Sequence, residues 1–250
     1  MKLIVNADDF GFTKGVNRGI IEAHKNGIVT SSTVMVTMPK IRHARKLSKK
    51  YPNLKLGLHL NMTLGKPLTD CPSLVKPNGE FYKPKENPDV TKFQKAEIKR
   101  EFLAQYNRFV KLFQKKPTHL DSHLYAHQIY DVVKEVVYEL SAEKNIPVRD
   151  LETTNYKKAC FLNCFKAFEH ETTDDILKRL EAKFSEMKDV EVAELMVHPA
   201  YIDDYLCHHS SYNVQRSLEL EALTSSRIKE MIQNHDIVLT DFEEEALCRK

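Results

Sequence analysis

The chain has 250 residues, 42% of them hydrophobic, and its 38 Lys and Arg against 35 Asp and Glu leave a formal charge of only +3. That length supports one sizeable core and is short for two enzyme domains, and the mixed charge lacks the basic footprint of a nucleic-acid partner. No apolar run approaches the roughly 18 residues of a membrane span, Met1 leads directly into the first apolar segment, and five irregularly spaced cysteines fit reduced thiols, so a cytoplasmic protein without a membrane partner is expected.

Residues 2–5, Lys-Leu-Ile-Val, read as a buried strand that runs into Asn6-Ala7-Asp8-Asp9-Phe10-Gly11. Adjacent carboxylates repel and are costly to desolvate, so Asp8 and Asp9 at a strand end call for a cation. An acidic turn that caps the next helix is the plainer reading of such a pair in isolation. Thr13 can cap a helix through Val16, Ile20, Ile21 and Ala23, with Gly27 as its stop signal. A strand over 32–37 and a helix over 40–50 follow; the basic run in that helix reads as a solvated face. In the next strand, 54–60, period two places Leu54, Leu56, Leu58 and Leu60 on one face and Lys55, Gly57, His59 and Asn61 on the other.

Between Gly65 and Pro88 periodicity is lost, and five of the ten prolines gather there. Asn78-Gly79, set between Val75 and Phe81, predicts a small hairpin, and the whole stretch of about 65–90 reads as a lid or substrate wall. A helix over 91–114 carries Ile98, Phe102, Tyr106, Phe109 and Phe113 as a core stripe. If 118–123 is a strand, His119, Asp121 and His123 share one face while Leu120 packs away. Then come a helix over 129–144, a short strand over 146–148 ending at Arg149, a segment over 151–170 with a strand at 159–165, and a helix over 173–187. Residues 192–197 form a strand that runs into His198-Pro199; a helix over 213–233 and a strand over 237–240 close the chain. Cys207-His208-His209 reads as loop rather than as a metal cluster.

Strands alternating with helices imply an α/β fold, a single-domain (β/α) barrel, closed or nearly so, with its chemistry at the carboxyl ends of the strands. Asp8, Asp9, His59, His123, Arg149 and His198 all fall at such ends. One carboxylate with two histidines is a ligand set that leaves coordination positions open, as a catalytic metal requires. A second carboxylate can take a proton from metal-bound water and another histidine can give one to a leaving group. This is the equipment of metal-assisted hydrolysis. Serine-nucleophile, nucleotide and dinucleotide motifs are absent. A metal-dependent phosphoesterase would use the same ligands, and Arg149 and Arg216 keep that alternative open.

Asn6-Ala-Asp-Asp-Phe-Gly11, Gly57-Leu-His-Leu-Asn61, Thr118-His-Leu-Asp-Ser-His123 and Glu194-Leu-Met-Val-His-Pro199, in this order, resemble the YdjC-like carbohydrate deacetylases, the family of chitooligosaccharide (diacetylchitobiose) deacetylase. Ile146-Pro-Val-Arg149 and the pair Arg216 and Glu219 extend the match over nearly the whole chain. The resemblance implies a barrel of about seven parallel strands related to polysaccharide deacetylases, a divalent metal ion, and removal of acetyl from an N-acetylated sugar. That sugar is expected to be a chitooligosaccharide or diacetylchitobiose, with or without a 6-phosphate. The family implies magnesium, whereas ligand softness favours zinc. Carried over by position, Asp9, His59 and His123 are the metal ligands, Asp8 the general base and His198 the general acid; Arg149 is inferred to orient Asp8 or to tune its charge. Asn61, Tyr125, His127 and Arg216 are expected on the substrate. Two departures stand out: Tyr125 replaces one of the family's alternating histidines, and Pro199-Ala200-Tyr201 replaces the usual Pro-Gly-Tyr. A decayed, sugar-binding protein is the remaining alternative, although no matched catalytic position is lost. The partner expected is a small carbohydrate, and a homodimer would be ordinary.

Overall fold

In the computed structural model, which describes residues 1–86, 88–149, 158–187 and 189–245, strand β1 (Lys2–Phe10) runs through the middle of a parallel sheet. Its companions are β2 (Ser31–Val34), β3 (Lys55–Leu60), β4 (Leu120–Ser122), β5 (Ala159–Leu162), β6 (Val192–Val197) and β7 (Val238–Thr240). The order is β4-β3-β2-β1-β6-β5, with β7 beside the first half of β1. Around the sheet lie α1 (Lys14–Asn26), α2 (Ile41–Lys50), α3 (Lys95–Phe113), α4 (Ala126–Ile129), α5 (Asp131–Lys144), α6 (Thr173–Glu186), α7 (Asp204–His209), α8 (Gln215–Thr224) and α9 (Ser226–Asn234). A single parallel bridge, Leu120 with Val148, adds the segment before Arg149 to the β4 edge. Among the described residues no pairing joins that segment to β5, so the sheet curls into a partly open barrel.

Alternation along each strand sorts side chains between a helix-covered outer face and a barrel interior. Leu3, Val5, Ala7, Leu56, Leu58, Leu60, Ala193, Leu195 and Val197 belong to the main buried cluster. Ile4 and Val192 face inward at the amino end, where Phe242 packs on them. The Phe242 ring also stacks on His119, centroids 3.9 Å apart. Gly57 makes room for that imidazole, since a Cβ there would stand 2.5 Å from it. The interior thus has an aromatic floor.

The structure extends β1 five residues past the apolar run at 2–5. Its inward polar groups have partners: Asn6 donates to Asp8 Oδ1 at 2.9 Å and Thr33 Oγ1 at 3.1 Å, and accepts from Ser31 Oγ at 2.8 Å. Other boundaries shift. The second strand ends at Val34, and β4 has only three residues, so His119 precedes it and His123 begins a 3-10 turn, His123–Tyr125. The helix expected from 91 starts at Lys95, after a 3-10 turn at Val90–Lys92. The one expected over 213–233 is two helices, because Ser225 leaves the helical conformation and caps α9 by accepting from the Ile228 N–H at 3.2 Å. Cys207-His208-His209 lies on the short helix α7 instead of a loop. The Asn78-Gly79 hairpin is present, with Val75 bridging Phe81 and Gly79 at φ +77°, where glycine is at no disadvantage. Of the segment over 151–170, residues 151–157 lie outside the described residues, and its strand is confined to β5.

Candidate active site

Neighbouring residues on a strand point to opposite faces, so Asp8 and Asp9 share a site only if the strand is interrupted. The interruption is a β-bulge. Ala7 pairs with Ser32 and Phe10 with Val34, so three steps of β1 span two of β2. Asp9 takes the left-handed conformation at φ +73°, which costs an L-residue about 1–3 kcal/mol and persists only where the surrounding structure imposes it. Both carboxylates are buried.

Arg216, from α8, donates to Asp9 Oδ2 at 2.7 Å. The other oxygen, Oδ1, is buried without a hydrogen-bond partner. It lies 3.4 Å from His59 Nε2 and 4.0 Å from His123 Nε2. Each imidazole is held from behind: His59 Nδ1 sits 2.6 Å from Asp121 Oδ1, and His123 Nδ1 sits 2.6 Å from Thr63 Oγ1. Two imidazole nitrogens and one orphaned carboxylate oxygen therefore converge with their rings fixed, an arrangement that fits a divalent cation. His123 reaches it from the 3-10 turn rather than from β4.

Asp8, His59 and Asp121 form a second trio whose ligand atoms lie within 4.8 Å of one another. Both carboxylates of that trio already hold a cation, Arg149. Arg149 donates through Nη1 to Asp8 Oδ2 at 2.8 Å and through Nη2 to Asp8 Oδ1 at 2.6 Å, and its Nη2 is 2.9 Å from Asp121 Oδ2. The Asp9 side of His59 is thus the better place for a metal ion.

Electrostatics follow from these pairs. Burial opposes ionisation of Asp8, but the Arg149 guanidinium outweighs it and holds the carboxyl well below the usual range. Burial likewise opposes ionisation of Asp9, and Arg216 together with His123, His59 and His198 outweighs it, so this carboxyl too is held below its usual range. Burial pulls His59 down, yet Asp121 drives it up to about 9. His123, with burial dominant, falls to about 4, and His198, through burial and Arg216, also falls to about 4.

His198 follows β6 and presents Nε2 to Asp8 Oδ2 at 3.9 Å, while its Nδ1 faces Glu219 Oε1, also at 3.9 Å. Glu219 accepts the His198 backbone N–H and the Tyr212 hydroxyl. Burial raises Glu219 to about 7.

A cavity of about 350 Å³ opens over this centre. Asp8, Asp9, His59, His123, Arg149, His198, Arg216 and Tyr125 line it, with Lys83, Lys85 and Lys166. Asn61 and His127 are not among its lining residues. Asn61 instead ties the following turn, donating to Thr37 Oγ1 and the Leu64 carbonyl, both at 2.8 Å. His127 is fully buried, with Nδ1 at 2.5 Å from Ser122 Oγ. Of the two arginines that kept a phosphoesterase in view, Arg149 has both Nη groups on Asp8, and Arg216 has Nη2 on Asp9 while its Nη1 is buried without a hydrogen-bond partner.

Asp121, Glu194, Thr63 and Tyr212 had no role in the sequence reading. Glu194 was the most visible of them, an acid inside the apolar strand Val-Ala-Glu-Leu-Met-Val. Thr63 and Tyr212 carry no such signal, because the meeting of Thr63 with His123 and of Tyr212 with Glu219 is set by tertiary packing.

The profile of the YdjC-like protein family matches residues 2–234. Carbohydrate deacetylase 2 of Listeria innocua serovar 6a is 42% identical over 243 residues, 97% of this chain and 98% of that protein. A solved chain from Enterococcus faecalis V583, provisionally assigned as a cellobiose-phosphate cleavage protein, superposes with a TM-score of 0.85 at 34% identity, covering 97% of this chain and 98% of its own. A family 4 carbohydrate esterase from Streptomyces lividans, at 11% identity, shares the fold with a TM-score of 0.53, covering 95% of this chain and 91% of its own. With a family match that runs from β1 through β6 and a relative 42% identical along nearly its whole length, the chain belongs to the YdjC-like family.

Proposed function

We propose that the chain is a metal-dependent carbohydrate deacetylase that hydrolyses the acetamide of an N-acetylated sugar. The observation that carries the reading is the bare Asp9 Oδ1 facing His59 Nε2 and His123 Nε2. The names of the similar proteins agree with it.

Asp9, His59 and His123 would hold the ion. A divalent metal at that position supplies a lowered pKa for its water and polarisation of the acetyl carbonyl. Asp8, kept ionised and aimed by Arg149, takes the proton of the attacking water. His198, with Nε2 3.9 Å from Asp8 Oδ2 and Glu219 behind its Nδ1, would deliver a proton to the departing amine. Acetate and a free amino sugar result.

Chitooligosaccharide or diacetylchitobiose is the substrate we favour, with a 6-phosphate form supported by Lys83, Lys85 and Lys166 on the cavity wall. Two of these come from the loop over 65–90, which supports its role as a substrate wall. The four described cysteines are free thiols, in keeping with a cytoplasmic enzyme.

Acetate release from N-acetylglucosamine oligomers, with and without the 6-phosphate, tests the reading, and elemental analysis of protein purified without added metal separates magnesium from zinc. Phosphate release without acetate release, or metal binding without either, would overturn it.

A further inference from the structure

We propose that Glu194 is a positioning residue for this reaction: by accepting the Nε–H of Arg149 it aims both Nη groups at the base, Asp8. The inference rests on Asp8 acting as the base.

Arg149 needs such a hold. Its backbone is pinned to β4, the Leu120 N–H donating to the Pro147 carbonyl and the Arg149 N–H to the Leu120 carbonyl, both at 2.8 Å, but this fixes only the root of a long side chain and not the direction of its guanidinium. Glu194, in contrast, sits in β6, which pairs with β1 in unbroken register from Lys2–Val192 to Ala7–Val197. Glu194 lies opposite Ile4, and Asp8 is four residues further along β1. The acceptor that grips Arg149 and the base that Arg149 grips therefore belong to two hydrogen-bonded neighbouring strands.

A guanidinium is planar, with its N–H groups in a fixed fork. Once Nε is held on Glu194 Oε1 at 2.9 Å, the directions of Nη1 and Nη2 are set. They point to Asp8 at 2.8 and 2.6 Å, and Nη2 also meets Asp121 at 2.9 Å. The ring of Phe161 covers the group, 5.2 Å from Cζ to its centroid. Nε and both Nη groups are thereby engaged, and one face of the plane is covered.

Contact rather than charge is what Glu194 contributes. Asp8, Asp121 and Glu194 all crowd on Arg149, and Glu194 Oε2 is buried with no hydrogen-bond partner, a poor setting for a further full charge beside Asp8. Burial pushes Glu194 up to about 8, which agrees with that geometry. A neutral amide oxygen in the same place would serve as well.

The test compares Glu194→Gln, which keeps an oxygen at that reach, with Glu194→Asp, which keeps the acid but withdraws it by one methylene. Glu194→Gln should retain kcat near the wild-type value. Glu194→Asp should lower kcat on the order of 10- to 100-fold, with KM and bound metal unchanged. The slowly exchanging Arg149 Nε–H resonance, assigned by its loss in Arg149→Lys, should persist in Glu194→Gln and exchange fast in Glu194→Asp. Equal loss in both variants, or none in Glu194→Asp, overturns the proposal. A wild-type protein that releases no acetate refutes the deacetylase reading instead, and the resonance still reports whether Glu194 holds Arg149.

Discussion

Arg216 donates to Asp9 Oδ2 across 2.7 Å, so the second oxygen of that carboxylate is turned toward His59 and His123 with no hydrogen bond of its own. If Oδ1 is a metal ligand, Asp9→Asn should strip the protein of metal. Asp8→Asn should retain near-stoichiometric metal while turnover falls about 10²- to 10⁴-fold. Elemental analysis beside acetate-release kinetics checks both, and the reverse pattern would exchange the roles of the two aspartates.

Thr63→Val removes the hydroxyl that fixes the His123 ring while keeping the side-chain shape. Metal affinity should drop about 10-fold, the low end for loss of a group that orients a ligand. Titration of the chelated protein with the metal measures it.

His119 contributes a pH dependence away from the cavity. Burial against Phe242 lowers it from the usual value near 6.5 to about 3, so the unfolded chain takes up the proton first. Its contribution is fully present above about pH 6.5 and is lost as the pH falls toward 3. In His119→Phe the difference in Tm between about pH 7 and about pH 5 should therefore shrink, whatever the variant's absolute stability. Calorimetry at the two values decides.

Gly57→Ala would drive a Cβ to within 2.5 Å of the His119 ring. The ring is enclosed, so overpacking should cost about 1–3 kcal/mol, read as a lower denaturation midpoint with unchanged slope.

Reversal of charge at the mouth tests substrate choice. In Lys83→Glu with Lys166→Glu, KM should rise for a 6-phosphorylated sugar and stay near wild type for its neutral counterpart. Steady-state kinetics on the matched pair of substrates settles the point.

Much of the site was legible in the sequence because two-residue alternation is a local property. It placed His59 opposite the leucines of β3 and put His198 at the end of β6. His123 was identified from a strand that stops one residue earlier, at Ser122; two left-handed residues, Leu124 and Tyr125, form the turn instead. The bulge at Asp9 could not be read, since it depends on the register between β1 and β2. Nor could the anchoring by Asp121, Glu194 and Glu219, whose partners are set by tertiary packing. Asn61 and His127 carry the opposite lesson: polar residues inside a matching motif can be absorbed in holding loops.

Gly15 and Gly19 admit the backbone of Tyr201 and Ala200, where an added Cβ would come within 2.0 and 2.4 Å of it. The helix that begins just after the two aspartates is thus seated directly on the loop that begins at His198. Strand pairing between β1 and β6 ties the same two elements together from the other side. The gap between Asp8 and His198 is therefore braced twice, by elements that do not include the loop over 65–90. A mutational scan should find sites that extinguish turnover on the back of α1, remote from any bound sugar, and an engineer wishing to widen substrate range can reshape the outer wall without disturbing that frame.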